Sequence, residues 1–196
     1  MRKTSILYVA VLMLLSAGVF AQAFEQGTSV ISLGYGIGNL NKTLFSTYES
    51  EAGYDYTGVG PFFGKFEYGV SDRVGIGLNV AHVGVNVRYN EEYNGETYNY
   101  RVNWRNTSIL GRVNIHFANT EKLDAFWGAG IGYRFGAWSY EDNNPDDSSE
   151  NKIGALNPLG FETTIGVRYF FLENIGVYAE AGIAKAPLQF GVNVRF

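Results

Sequence analysis

Histidine is the side chain best suited to general acid–base catalysis near neutral pH, and this chain contains two, His82 and His116. A histidine and a serine two residues apart share one face of a strand, where they can carry out acyl transfer. The residue two positions after His82 is Gly84, and the residue two positions after His116 is Ala118. No catalytic residue is therefore predicted, and we expect the protein not to be an enzyme.

Metal chemistry has equally little support. The chain has no cysteine, which excludes thiolate ligands and a thiol nucleophile. His82 and His116 are expected to lie too far apart along their strands to share an ion. The acidic segment 141–150 offers oxygen atoms to a hard cation such as calcium, but it lacks EF-hand spacing, so a solvated loop is favoured. We expect no metal and no cofactor.

The last nine residues alternate strictly between apolar side chains and polar or glycine residues. Side chains alternate across a strand, so one face carries Leu188, Phe190, Val192, Val194 and Phe196, and the other carries Gln189, Gly191, Asn193 and Arg195. The pattern predicts a strand with one face in lipid that ends on an aromatic residue at the membrane interface.

The beginning of the chain predicts export. Arg2 and Lys3 precede an apolar run from Ile6 to Leu15, and Ala21-Gln22-Ala23 has the small residues of a cleavage site. The apolar run is shorter than the ~20 residues of a spanning helix. We therefore predict a signal peptide at 1–23, exported through the Sec pathway, and one mature domain at 24–196. The formal net charge of −4 makes nucleic acid an unlikely partner.

Period-two alternation recurs through the rest of the chain and predicts strands rather than helices. Eight strands are placed at about 28–38, 58–70, 74–89, 98–117, 125–140, 158–171, 174–184 and 188–196. Short connections alternate with the long polar segments 39–57, 90–99 and 141–157, as in a membrane barrel with tight inner turns and extended outer loops.

The third strand changes the parity of its apolar residues. Its first half has Val74, Ile76, Leu78 and Val80 at even positions, and its second half has Val83, Val85, Val87 and Tyr89 at odd positions. A β-bulge near Ala81 or His82 would keep both sets on the lipid-facing side. We predict that bulge.

The polar face of the strands is rich in charge. It includes Lys65, Glu67, Arg112, Arg134, Glu162, Arg168, Glu180 and Arg195. Side chains fill the interior of an eight-stranded barrel, and a buried charge needs a partner. These residues are therefore predicted to form an ion-pair network in the lumen. A gated, weakly anion-preferring pore is the alternative.

With its alternating strands and terminal Phe196, the chain resembles the small outer-membrane β-barrel family that includes the OmpA transmembrane domain and OmpX, and also the porin-family barrels of Gram-negative bacteria. The resemblance implies an all-β fold: an eight-stranded antiparallel transmembrane β-barrel with short periplasmic turns and long outer loops. It also implies a place in the cell outer membrane, in contact with its lipid and lipopolysaccharide. The outer-membrane assembly machinery would then recognise the C-terminal signal formed by Phe190, Val192, Val194 and Phe196.

The function expected from these features is a structural anchor that displays surface loops for adhesion or ligand contact. Tyrosine supplies contact area with a polar tip, and seven tyrosines lie in or beside the predicted loops: Tyr48, Tyr54, Tyr56, Tyr93, Tyr98, Tyr100 and Tyr140. The alternatives are a porin-like narrow channel for small solutes and, third, a lipid-modifying outer-membrane enzyme.

Overall fold

The computed structural model describes residues 22–38, 52–93, 96–142, 151–154 and 158–196. They contain nine strands: β1 (Ser29–Ile37), β2 (Ala52–Ser71), β3 (Val74–Tyr93), β4 (Glu96–Asn119), β5 (Leu123–Asp142), β6 (Asn151–Gly154), β7 (Leu159–Phe170), β8 (Ile175–Ile183) and β9 (Leu188–Arg195). In these ranges, no helix is both long and apolar enough to cross a bilayer.

The strands close into a barrel. Each long strand pairs antiparallel with its neighbour, β5 pairs with β7, and β9 returns to pair with β1. The short β6 pairs only with the outer part of β5 and lies outside the closed ring. The result is an eight-stranded antiparallel barrel, which confirms the predicted fold class.

The outer wall of the barrel is apolar and the inner wall is polar. Outward side chains such as Leu33, Ile131 and Ile165 are more than 60% exposed. Inward side chains such as Lys65 and Arg112 are buried. A soluble barrel has the opposite arrangement, so this apolar belt faces lipid and the chain is a transmembrane barrel.

Three short turns, between β2 and β3, between β4 and β5, and between β7 and β8, lie at the same end of the barrel. We call this the inner end and the opposite one the outer end. At the outer end, β3 and β4 are separated by residues 94–95 alone. The predicted long loop at 90–99 is therefore wrong, because most of it continues the two strands. Of the other two predicted loops, 39–51 and 143–150 lie outside the described residues, together with Tyr48 and most of the candidate cation segment.

The change of parity in β3 has a different cause from the one predicted. Val83, Val85, Val87 and Tyr89 are at most 8% exposed and point into the barrel. The register between β3 and β4 runs without a shift from Val74 to Tyr93. The predicted bulge in β3 and the outward orientation of these four residues are therefore wrong.

The bulge lies instead in the neighbouring strand β2. Val59 pairs with Gly84 and Phe62 with His82, which leaves Gly60 and Pro61 opposite the single residue Val83. Gly60 adopts a positive φ of 88°, which is accessible to glycine at little steric cost. The bulge turns Tyr54 and Tyr56 inward. They pack there against Val83, Val85, Val87 and Tyr89, which we call the β3 cluster.

Strands β2 to β5 are 20, 20, 24 and 20 residues long, whereas β1, β7, β8 and β9 have 8 to 12. We call the projecting parts of β2 to β5, residues 52–59, 83–93, 96–106 and 135–142, the outer extension. Its inner face holds the β3 cluster with Tyr100, Val102 and Trp104. Its outer face is mostly polar, with Val59 and Phe135 exposed where the extension begins. Water rather than lipid surrounds this part of the sheet, so its apolar side chains turn inward.

Candidate functional site in the barrel lumen

Four charged side chains meet in the middle of the lumen. Lys65 Nζ lies 2.7 Å from Glu180 Oε1, and Arg112 lies 2.9 Å from Glu162 Oε1 through Nη1 and 2.8 Å from Glu180 Oε2 through Nη2. They come from β2, β4, β7 and β8, so the ion pairs reach across the lumen. We call these residues the middle quartet. Its two cations and two carboxylates balance.

Uncharged side chains complete the hydrogen bonds of the middle quartet. Asn79 Nδ2 donates to Glu162 Oε2 at 2.7 Å, and Lys65 donates to Gln189 Oε1 at 2.8 Å. Thr164 accepts from Arg112 and donates to Glu180, each at 2.8 Å. Satisfying the remaining donors and acceptors is what makes buried ion pairs tolerable in a medium of low dielectric constant.

A second group lies nearer the inner end and consists of Glu67, His116, Asp124 and Arg168, here the inner quartet. His116 Nδ1 is 2.6 Å from Asp124 Oδ1 and His116 Nε2 is 2.9 Å from Glu67 Oε1. Arg168 donates to Asp124 Oδ2 at 3.2 Å and to Glu67 Oε2. With His116 protonated, both ring nitrogens donate to a carboxylate, and in that state this quartet also balances.

Small residues on β5 make room for the long side chains. Gly77, Arg112, Gly130 and Glu162 are cross-strand partners in one row. A Cβ atom added to the nearby Gly128 would lie 2.1 Å from Arg112 Nη2. The alternation of glycine and large residues along β5 therefore positions the arginine at the centre of the lumen.

The inner mouth is closed by the segment before β1. Phe24 is fully buried, and its ring stacks on His116 with a centroid distance of 3.6 Å. The Ala23 N–H donates to the Thr120 carbonyl at 2.6 Å. Arg195, predicted to join the ion-pair network, donates to the main-chain carbonyls of Glu173 and Gln22, at 2.5 and 2.9 Å.

The outer mouth is less tightly packed. Arg134, also predicted in the network, lines a cavity of about 150 Å³ together with Lys185. Lys185 belongs to the turn between β8 and β9, and its ammonium group donates to the Ala81 and Asn106 carbonyls at 3.1 Å and to Asn106 Oδ1 at 2.6 Å.

Little free volume lies between the two quartets. The cavity bounded by Lys65, Glu67, Arg112, Arg168 and Glu180 has about 10 Å³, at the lower limit of what holds one water molecule. Among the described side chains, four buried polar atoms have no hydrogen-bond partner: Asn79 Oδ1, Tyr178 Oη, Asn193 Oδ1 and Asn193 Nδ2. The lumen at this level is filled by side chains.

The structure places the other predicted residues as follows. Phe190 and Val192 of the predicted insertion signal are exposed on the apolar belt, and Val194 and Phe196 are partly buried. His82 faces outward and bonds Thr107 Oγ1 at 2.8 Å, whereas His116 faces the lumen, so the two are not brought together. In the described ranges, no cluster of three His, Cys, Asp or Glu residues is placed to hold a metal ion.

Sequence reasoning missed Asp124 and Lys185, because both were assigned to connections. Asp124 sits two positions before the buried Phe126, on the inward parity of β5. Extending that alternation by one step would have found it. No comparable signal exists for Lys185, since it reaches the lumen from a turn.

Comparisons with known proteins give likenesses of fold only. No protein-family model matches the chain, and no curated protein matches it. Solved structures with a similar fold include the N-terminal β-barrel domain of Pseudomonas aeruginosa OprF, with 17% identity over 88% of this chain and 99% of that chain, at a TM-score of 0.46.

Two further similar structures are Ail, the attachment invasion locus protein of Yersinia pestis, and the outer-membrane protein OprG of Pseudomonas aeruginosa. Ail has 14% identity over 87% of this chain and 99% of its own, with a TM-score of 0.46. OprG has 13% identity over 88% of this chain and 97% of its own, with a TM-score of 0.47. With its eight closed strands, apolar belt and polar lumen, this chain has the architecture of the small outer-membrane β-barrels.

Proposed function

We propose that this protein is an outer-membrane anchor whose barrel is closed to solutes and whose outer extension serves adhesion or ligand contact at the cell surface. The proposal rests on a contrast along strands β2 to β5: the lumen between them is filled within the apolar belt, and the strands continue as a sheet beyond it. Two balanced quartets fill the lumen within the apolar belt. Beyond the belt, four strands continue as a sheet with its own apolar core.

The outer face of the extension supports ligand contact. Asp55, Arg88, Arg101 and Glu141 are cross-strand partners in one row across β2, β3, β4 and β5. They line a cavity of about 550 Å³, a volume typical of small-molecule sites. Arg101 and Glu141 pair at 3.4 Å and are each about half exposed, so both remain available to a ligand.

Three of the seven tyrosines contribute to the extension itself. Tyr54, Tyr56 and Tyr100 pack against the apolar core of the extension. They therefore stabilise the platform, and Tyr100 also borders the cavity of about 550 Å³. Surface contact then falls to the polar row and to the loops that the extension carries.

The narrow channel requires both quartets to open, because their ion pairs cross the lumen. The lipid-modifying enzyme stays third, without a residue proposed to carry the chemistry. Lipid and lipopolysaccharide contact through the belt, and recognition of the C-terminal signal by the assembly machinery, are part of the proposal.

Conductance in a planar bilayer tests the closed barrel. We expect the refolded protein to give no reproducible current steps. Glu162→Gln leaves Arg112 with a single carboxylate partner and should give occasional openings, whereas the matched variant Glu141→Gln on the outer extension should remain silent. A steady wild-type pore whose conductance changes with Glu162→Gln would establish the channel instead.

A further inference from the structure

Two cations at the outer mouth of the lumen stand outside the quartets. Arg134 and Lys185 both line the cavity of about 150 Å³ at the outer mouth. Neither forms an ion pair with a carboxylate of the described residues. Glu162 borders the same cavity, but its two oxygens are taken by Arg112 and Asn79. Within the described ranges, therefore, no carboxylate is left to compensate the positive charge at this cavity.

The geometry holds that charge in place. Three oxygen atoms from β3 and β4 hold the Lys185 ammonium group, so the turn between β8 and β9 is fastened across the mouth. Arg134 reaches the cavity from β5, beside its cross-strand partner Ser108. Two cations, a serine hydroxyl and the Asn106 amide thus border one space.

The size of the cavity limits what it can hold. A volume of about 150 Å³ is roughly ten times the ~10–15 Å³ that one water molecule needs. It is smaller than the ~300 Å³ at which drug-sized ligand pockets begin. An ion of a few heavy atoms fits, and an oligosaccharide does not.

We propose that this cavity binds one small oxyanion, such as phosphate, sulfate or a short carboxylate, between Arg134 and Lys185. Such a group accepts charge-assisted hydrogen bonds from Arg134. The Lys185 ammonium group, whose three N–H donors are held by Ala81 and Asn106, attracts it through its charge. The oxyanion supplies the charge that the described carboxylates do not. The oxyanion is either free in solution or part of a lipid headgroup. The proposal goes beyond the anchor function and holds whether or not the lumen conducts.

Calorimetric titration of the refolded barrel with sodium sulfate, in zwitterionic vesicles and at constant ionic strength, tests the site. We expect saturable binding of one sulfate. Arg134→Gln and Lys185→Gln should each weaken it about tenfold or more, because each removes one positive charge from the site. Arg105→Gln, which removes an exposed arginine from the outer face of β4, should leave the affinity unchanged.

The pH profile gives a second readout. Burial and the neighbouring Arg134 lower the pKa of Lys185 to about 7. Arg134 on β5 and Glu162 on β7 are the charged groups that face it, and the lining residues of β3 and β4 do not titrate. Sulfate affinity should therefore fall as the pH rises through about 7, because Lys185 loses its proton. In Lys185→Gln this dependence should be absent.

The outcomes separate cleanly. If added lipopolysaccharide competes with sulfate, a lipid phosphate occupies the site. If it does not compete, the ligand is a free anion. Both results support the proposal. Absence of saturable sulfate and phosphate binding by the folded wild type overturns it, as does equal weakening by Arg105→Gln. Ser108→Ala, a smaller change, should weaken binding modestly and serves if an arginine or lysine variant fails to fold.

Discussion

At the residue scale, the lumen is governed by the cost of burying charge. Lys65, Arg112, Glu162 and Glu180 are each at most 8% exposed, and an unpaired ion at such a site costs several kcal/mol. Arg112 contacts both carboxylates of its quartet, so it is the residue on which the balance of the group depends. Lys65 contacts only Glu180 among the carboxylates.

Replacing Arg112 should therefore be the most damaging single change of charge in the middle quartet. Arg112→Gln leaves Glu162 without its ion pair and is expected to lower the free energy of unfolding by about 3–5 kcal/mol. Urea titration of the barrel refolded in vesicles measures this quantity. Arg101→Gln, at an exposed ion pair, should cost at most about 1 kcal/mol. Similar losses for both variants would contradict the assignment.

At the element scale, the inward side of strand β3 is polar or small within the membrane and becomes apolar beyond it. In β3, Ile76, Leu78 and Val80 are exposed on the apolar belt, whereas Val85 and Val87 are buried inside the extension. The backbone of β3 continues without a bulge. The environment outside the barrel, lipid below and water above, decides which face carries the apolar side chains.

Val87→Asn tests this change of face. It buries an amide in the apolar core of the extension and should destabilise that region by about 1–3 kcal/mol. Amide hydrogen exchange should then speed up in the outer halves of β2 to β5 and stay unchanged around the quartets. Val59→Asn makes the same substitution at an exposed position and should have little effect. Faster exchange throughout the barrel would show that the extension is not an independent zone.

At the scale of the whole molecule, two zones with separate cores share four strands. The membrane zone is held by the ion pairs of the quartets, and the outer zone by the β3 cluster with its tyrosines and Trp104. The ion pairs of the quartets lie within the membrane zone and do not involve the outer one. The barrel should therefore survive loss of much of the outer zone.

Removing residues 85–104 tests that independence. Gly84 and Arg105 are cross-strand partners, so a short Asn-Gly turn can join them. The shortened chain should still insert and show a folded barrel by heat-dependent gel migration and circular dichroism, while binding of the intact protein to a cell surface is lost. Failure to insert would mean that the extension is needed for folding, and unchanged surface binding would remove it from the proposed function.

Much of the fold follows from local patterns in the sequence. The alternation of Leu188 to Phe196 and of Ile31 to Ile37 identifies membrane strands, because a strand places alternate side chains on opposite faces. The residues that face the lumen, such as Glu162 and Arg168, follow from the same parity. The strand ends of β2, β3 and β4 extend further than predicted, since polar residues on the outer face of the extension have the composition of loops.

What the sequence alone determined is the architecture: eight strands, an apolar outer wall and a charged interior. The tertiary structure decided which partner each charge has. Lys65 and Glu180 are 115 residues apart, and no local pattern specifies a pairing across a closed barrel. The tertiary structure also decided that Val83, Val85, Val87 and Tyr89 point into the barrel. Their alternation in the sequence shows only that the four side chains share one side of the strand. Whether that side faces the lumen or the outside depends on whether lipid or water surrounds this part of the sheet.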